Sequence, residues 1–310
     1  MRVLVMGAGS LGSVTGGLLA QAGHEVTLVG RQPHMDAIAR DGLRISGIWG
    51  EHHVRGMRVR TALDGLCAGS FDLILVTVKS FDTADAARAI APLVDEHTLV
   101  CSYQNGLGNA EIIAGAVGWP CTIGARAIYG AWMPAPGRVE VTVIANPAAI
   151  GPYHAGTPVE RVREVVRAMD DAGVPTVYTD RIAAVLWSKV AYNCALNPLS
   201  ALRNVPYGAL LESEDTRELM RKIVHELYAV AHAMNVALEP ATPEVYVELL
   251  FTQLIPPTAG HYASMREDLR RGRRTEIEAL NGAICRFGEA FGIPTPVNSE
   301  LTRRVRARGK

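Results

Sequence analysis

The stretch that most narrows what this chain can fold into is RVLVMGAGSLG, residues 2–12. A short apolar run leads directly into Gly7, Gly9 and Gly12, and a helical pattern, SLGSVTGGLLAQAG, continues through 10–23. Strand, G-x-G-x-x-G turn and helix in this order predict the opening βαβ unit of a dinucleotide-binding domain. Gly7 permits the tight turn, Gly9 lets the backbone approach a pyrophosphate, and Gly12 allows the helix to pack closely on the sheet. With Ala8, Ser10 and Leu11 completing the loop, the helix N-terminus faces the phosphates. The chain holds 30 glycines, so the motif carries weight because its strand and helix flank it.

The rhythm continues. EVTLV (25–29), DLILVTV (72–78) and TLVCSY (98–103) are apolar and β-branched, as strands buried on both faces of a parallel sheet are, and TADAARAIAPL (83–93) reads as an intervening helix. The first part is therefore predicted as a Rossmann-like, doubly wound parallel α/β sheet over residues 1–180. LRISGIWGEHHVRGMRVR (43–60) and GRVEVTVIA (137–145) read as added strands or hairpins. Beyond residue 180 the pattern changes to i, i+3, i+4, i+7 spacing in RIAAVLWSKVAYNCALNPLSAL, EDTRELMRKIVHELYAVAHAMN and RRTEIEALNGAICRFGEAFG. A second, all-α C-terminal domain is expected over 181–310. The basic tail TRRVRARGK is expected to be a solvated last helical turn with a frayed end.

Bulk properties exclude several functions. Lysine plus arginine and aspartate plus glutamate each number 31, so no net field draws the chain to nucleic acid or an anionic membrane, and a small molecule is the expected partner. Five widely spaced cysteines without a C-x-x-C pair argue against a disulfide framework and a zinc site and fit a reducing cytoplasm. No apolar run reaches the roughly 18 residues that span a bilayer. The adjacent His52 and His53 point apart on a strand, and no metal site is expected. Trp187, Tyr192 and Cys194 are expected in the core between the domains, Cys194 as an inert thiol. The long amphipathic C-terminal helices could serve a homodimer seam or the domain's own core.

Three places carry chemistry. At the end of the second strand stands Arg31, where an NAD-preferring site has an acid for the ribose 2′-hydroxyl. A guanidinium suits a 2′-phosphate and predicts NADP(H), an unattached surface arginine being the alternative. TVKS (77–80) and SYQNG (102–106) bring Lys79, Gln104 and Asn105 to the carboxyl ends of strands, where ligands of open α/β sheets bind, although turn chemistry alone also explains Asn105-Gly106. SKVAYNCALNP (188–198) sets Lys189, Asn193 and Asn197 at intervals of four, so they project from one helical face. A ligand surface and a solvated stripe share that spacing.

MGAGSLG, VTVKS, QNGLGN, WSKVAYNCALNPLSAL and SMREDLRRGRRTEIEALNG, taken together and in this order, resemble the ketopantoate reductases over residues 1 to about 295. The resemblance implies an NADPH-dependent reduction of 2-dehydropantoate to pantoate in a cleft between a Rossmann domain and a helical domain. Lys189 matches the catalytic proton donor to the ketone oxygen. Asn193, Asn197 and Ser264 match substrate contacts, and Glu276 matches the glutamate at the cofactor and substrate end of the cleft. Asn105 matches the residue between nicotinamide and substrate, and Lys79 a cofactor contact. The chemistry is coherent, because hydride arriving at C2 leaves negative charge that a nearby ammonium stabilises and protonates. Two departures touch the substrate. Tyr207-Gly208 stands where members of the family often have asparagine before glycine, and YGAWMPAPGRVEVTVIANP, with Trp132 and Met133, is unusual between the domains. Another branched 2-oxo acid and a non-catalytic NADP(H)-binding sensor are the competing functions.

Overall fold

Residues 1–144 and 146–309 are described by the structure, a computed structural model of the chain; Ala145, which ends the strand predicted at 137–145, and Lys310 of the basic tail lie outside them. The chain divides into two compact units, Met1–Gln104 with Asn109–Ile182, and Asn105–Gly108 with Ala183–Lys310.

The first unit contains strands β1 (Arg2–Met6), β2 (Glu25–Val29), β3 (Leu43–Gly47), β4 (His52–Val54), β5 (Arg58–Arg60), β6 (Leu73–Val76), β7 (Leu99–Ser102), β8 (Thr122–Arg126), β9 (Tyr129–Ala135), β10 (Arg138–Ile144), β11 (Ala148–Pro152) and β12 (Thr176–Tyr178). Helices α1 (Ser10–Gln21), α2 (Gln32–Asp41), α3 (Thr83–Ile90), α4 (Asn109–Val117) and α5 (Val159–Asp171) accompany them. The main sheet runs β12-β11-β8-β7-β6-β1-β2-β5. All its pairings are parallel except β8 with β11. From β1 the chain builds outward through β2 on one side and through β6 and β7 on the other. The carboxyl ends of β1 and β6 thus form the switch point of a doubly wound sheet.

The apolar runs follow from this position. Val3 and Val5 enter one core cluster with Leu73 and Leu75, while Leu4 enters another with Ile74 and Val76. Alternate residues of a strand face opposite sides, so both faces must be covered, and each buried aliphatic side chain contributes about 1.5–3 kcal/mol. The added strands behave differently from a single hairpin set. β3 and β4 do form an antiparallel pair, but β5 joins the main sheet beside β2. β10 lies parallel to β3 and antiparallel to β9, completing a second sheet of order β4-β3-β10-β9.

The second unit is helical among the described residues: α6 (Ile182–Arg203), α7 (Glu214–Ala233), α8 (Pro243–Leu249), α9 (Ser264–Arg270), α10 (Asn281–Phe291) and α11 (Pro296–Arg308). Trp187 and Cys194 are buried here, Trp187 against Phe287. Two expectations need correction. The segment 273–292 is not one helix, because Leu280, at φ −103° and ψ −110°, breaks a short 3-10 turn, Ile277–Ala279, from α10. The basic tail, expected as a solvated last helical turn with a frayed end, is the second half of α11: its arginines are exposed, but one side packs inward. Leu301, Thr302 and Val305 are buried, and Arg306 grips Glu278 through two bonds of 2.6 Å. The described residues include no helix long and apolar enough to cross a membrane.

Candidate active site

The glycine loop of the first unit divides its three glycines by surroundings. A Cβ on Gly7, at φ +108°, would stand 2.6 Å from Val78 N; one on Gly12 would stand 2.5 Å from Thr77 Oγ1 and 2.7 Å from Gly7 O. Both positions are closed by the fold. Gly9 is different, since the nearest atom to its Cβ would be Gly7 O at 3.9 Å, and the residue is exposed. The amides of Gly7 and Ala8 donate to Val29 O, at 3.1 and 2.8 Å, and Thr77 Oγ1 donates to Gly7 O at 2.7 Å. The loop is thereby clamped between β2 and the end of β6. The opening amides of α1, at Ser10, Leu11 and Gly12, precede its first intrahelical donor, and no acidic side chain occupies that first turn. An unopposed helix N-terminus with an open glycine suits a pyrophosphate.

Arg31 is exposed at the N-cap of α2, two residues past β2. Beside this end of the sheet lies a depression of about 520 Å³ lined by Met6, Val29, Ala62, Leu66, Ala89 and Leu93, among others. Its size and its place at the carboxyl ends of β1 and β2 suit the adenosine half of a dinucleotide. Lys79 is exposed at the start of the 3-10 turn after β6. Gln104 turns out to be structural: it is buried, and its Nε2 donates to Val78 O at 2.9 Å and Thr83 Oγ1 at 2.8 Å. Arg126, which the sequence did not single out, ends β8 with its guanidinium half-buried. Nη2 donates to Pro147 O at 3.2 Å, while the buried Nε has no hydrogen-bond partner among the described residues. Burial lowers its pKa.

In the second unit, Lys189, Asn193 and Asn197 fall one above another along α6, each half-buried between a buried apolar row and solvent. They form neither a solvated stripe nor a closed core. Lys189 Nζ donates to Asn105 Oδ1 at 2.7 Å. That contact depends on the docking of Asn105–Gly108. Leu107 N donates to Ala279 O at 2.8 Å, and a Cβ on Gly106, at φ +91°, would lie 2.5 Å from both Cβ and O of Ala279. Glu276 caps the same 3-10 turn, its carbonyl accepting from Ala279 N at 3.0 Å, and is half-buried. Lys189, Asn105 and the Glu276 turn are therefore linked by a short chain of contacts. Ser264 opens α9 and is exposed; Ala263 before it donates its N–H to Ser200 Oγ at 3.4 Å, tying this end of α9 to α6.

Pro198 sits inside α6 and has no N–H for the carbonyl of Cys194. The buried Asn281 meets that need, donating from Nδ2 to Cys194 O at 3.2 Å. Asn197 Oδ1 accepts the Tyr207 hydroxyl at 2.7 Å. Neither Asn281 nor Tyr207 could be joined to α6 from local spacing. His52 and His53 make ordinary hydrogen bonds, to Gln21 and Trp49 O and to Asp41 O, and no group of three potential metal ligands occurs among the described residues. Trp132 is exposed, its Nε1 donating to Glu140 at 2.9 Å.

Comparison with known proteins adds to this geometry. Residues 3–154 match the family model "Ketopantoate reductase PanE/ApbA", and residues 181–309 match its C-terminal counterpart. A 2-dehydropantoate 2-reductase of Aquifex aeolicus is 36% identical over 309 residues, covering 99% of this chain and 97% of that protein. The crystal structure of 2-dehydropantoate 2-reductase from Geobacter metallireducens superposes with a TM-score of 0.90 at 29% identity, over 99% of both chains. A D-mandelate dehydrogenase solved with NADH and anilino(oxo)acetate superposes at 0.87 with 25% identity, over 99% of this chain and 98% of that one.

Proposed function

The chain belongs to the ketopantoate reductase family, and from that premise we propose that it reduces 2-dehydropantoate to pantoate with NADPH. The observation that supports this most is the 2.7 Å hydrogen bond from Lys189 Nζ to Asn105 Oδ1, at the head of a row that continues through Asn193 and Asn197. A bound nicotinamide dinucleotide supplies the hydride. The Gly7–Gly12 loop and the first turn of α1 bind its pyrophosphate, and Lys79 assists at the cofactor. Arg31 pairs with the 2′-phosphate, a charge-assisted contact worth about 1.5–3 kcal/mol and hence a tenfold or larger preference over NADH.

Lys189 acts on the substrate oxygen. As C2 accepts hydride, negative charge grows on the former carbonyl oxygen; the ammonium stabilises it and transfers a proton from Nζ, leaving pantoate and a neutral amine that solvent reprotonates. Asn105 directs Nζ without adding a charge. Asn193, Asn197 and Ser264 orient the carboxylate and hydroxyl, and Glu276 accepts a hydrogen bond from a substrate hydroxyl. The reading is tested by following NADPH consumption with 2-dehydropantoate, with 2-oxoisovalerate as substrate control and NADH as cofactor control. Selective turnover of 2-dehydropantoate with NADPH is the expected result. Tight NADPH binding with no consumption would overturn the substrate assignment, and equal efficiency with NADH would overturn the cofactor preference.

A further inference from the structure

Tyr207 is buried to 4% exposure, yet it carries a phenolic O–H that needs an acceptor. Its backbone is clipped in place. Tyr207 N donates to His261 O at 2.9 Å, Gly208 N donates to Ala259 O at 2.8 Å, and a Cβ on Gly208 would lie 2.8 Å from that of Ala259. Its ring is held on two sides, edge-on to Tyr192 with centroids 5.9 Å apart and 5.3 Å from the His261 imidazole. The neighbouring phenol is turned to another partner. Thr258 Oγ1 donates to the carbonyls of Leu254 and Ile255, so Tyr192 donates its own hydroxyl proton to Thr258 Oγ1, 2.7 Å away. The acceptor that Tyr207 finds is Asn197 Oδ1 at 2.7 Å.

We infer that Tyr207 is a positioning residue that latches the Asn197 carboxamide in one orientation, so that Asn197 meets the substrate only as a hydrogen-bond donor. An unlatched amide can turn either its oxygen or its nitrogen outward. With Oδ1 engaged by a rigidly held phenol, Nδ2 is the end left to face a ligand, and it selects an acceptor oxygen, carboxylate or hydroxyl, on the 2-oxo acid. The specificity lies in orientation, because reversing the amide would leave the buried Tyr207 proton unmatched. Asn197 is the substrate contact assumed here, so the inference rests on the proposed function.

A double-mutant cycle tests it, using steady-state kinetics with 2-dehydropantoate and NADPH. Tyr207→Phe keeps the ring and removes the hydroxyl; KM is expected to rise about tenfold with kcat nearly unchanged, the pattern of lost uniform binding. In an Asn197→Ala background the same change is expected to move KM less than about twofold, because its effect passes through Asn197. Equal tenfold losses in both backgrounds would reduce Tyr207 to a packing residue, and an unchanged KM in Y207F would overturn the latch. Asn197→Asp reads the contact from its other side, since one carboxylate oxygen still accepts from Tyr207 while the other presents an acceptor. Its KM must rise at least about tenfold, and a wild-type KM would refute the donor role. Wild-type protein inert on 2-dehydropantoate would sink the functional reading alone. The latch would then be read from urea unfolding of the same cycle, where additive losses in Y207F and N197A would overturn it.

Discussion

An ammonium on a flexible four-carbon stem can reach many places, so what fixes its direction matters as much as its charge. Lys189 is directed by Asn105, a residue 84 positions away in the chain. If Lys189 donates the proton, Lys189→Ala should lower turnover about 10²–10⁴-fold while NADPH affinity, followed by quenching of intrinsic fluorescence, stays near the parent value. Near-normal turnover would remove it from that role. Arg31 offers a second test at this scale. Arg31→Ala should cut the ratio of kcat/KM for NADPH over NADH by about tenfold or more, chiefly through KM for NADPH. A ratio left intact would return Arg31 to the status of a surface arginine.

At the scale of an element, the glycine loop separates binding from folding. Gly12→Ala forces a Cβ to 2.5 Å from Thr77 Oγ1, 2.7 Å from Gly7 O and 2.9 Å from Val5 Cγ1, an overpacking that should cost about 1–3 kcal/mol in urea unfolding. Gly9→Ala meets nothing closer than 3.9 Å and has an ordinary φ of −80°, so its folding midpoint should hardly move. With the loop as the proposed phosphate site, NADPH affinity should nevertheless fall, because the new methyl group would stand in the path of the pyrophosphate. If Gly9→Ala bound NADPH as the parent does, the open face of the loop would not be the phosphate site.

Across the whole molecule, the acid limit of stability follows from histidines whose pKa burial lowers, the buried His34 first among them. His34 Nδ1 accepts the Gly137 N–H at 2.8 Å, so Nε2 carries the proton and donates to Ser13 Oγ at 2.9 Å. Burial lowers the pKa of His34 below the ordinary value of 6.5, and His24 and His261 shift the same way, each chiefly through burial. As pH falls through 6.5 the unfolded chain takes up protons that the folded chain still refuses, so stability is full above that value and declines below it. The depressed carboxyls of Asp72 and Glu278 add a second decline below the ordinary carboxylate range. The urea midpoint should therefore drop between about pH 7.5 and about pH 5.5, and His34→Gln should flatten the slope while lowering the midpoint at neutral pH. An unaltered slope would clear His34 of that part.

The sequence by itself determined what neighbours along the chain decide. Apolar runs bounded by turns marked β1, β2, β6 and β7; the glycine spacing marked the loop and the start of α1; and the repeat of four placed Lys189, Asn193 and Asn197 on one face. Each depends on contacts within a few residues, where backbone geometry leaves little choice. Tertiary structure decided what distant segments settle between them. β10 pairs with β3 rather than closing a hairpin with β9 alone, Asn105–Gly108 docks on the Ala279 turn, and Tyr207 rather than solvent takes the oxygen of Asn197. Packing likewise gave the basic tail a buried side through Thr302 and Val305 and drew Gln104 inward. Polar side chains carry no mark of which partner will satisfy them. That choice is made when burial removes water and leaves each donor only the acceptors the fold has brought within reach.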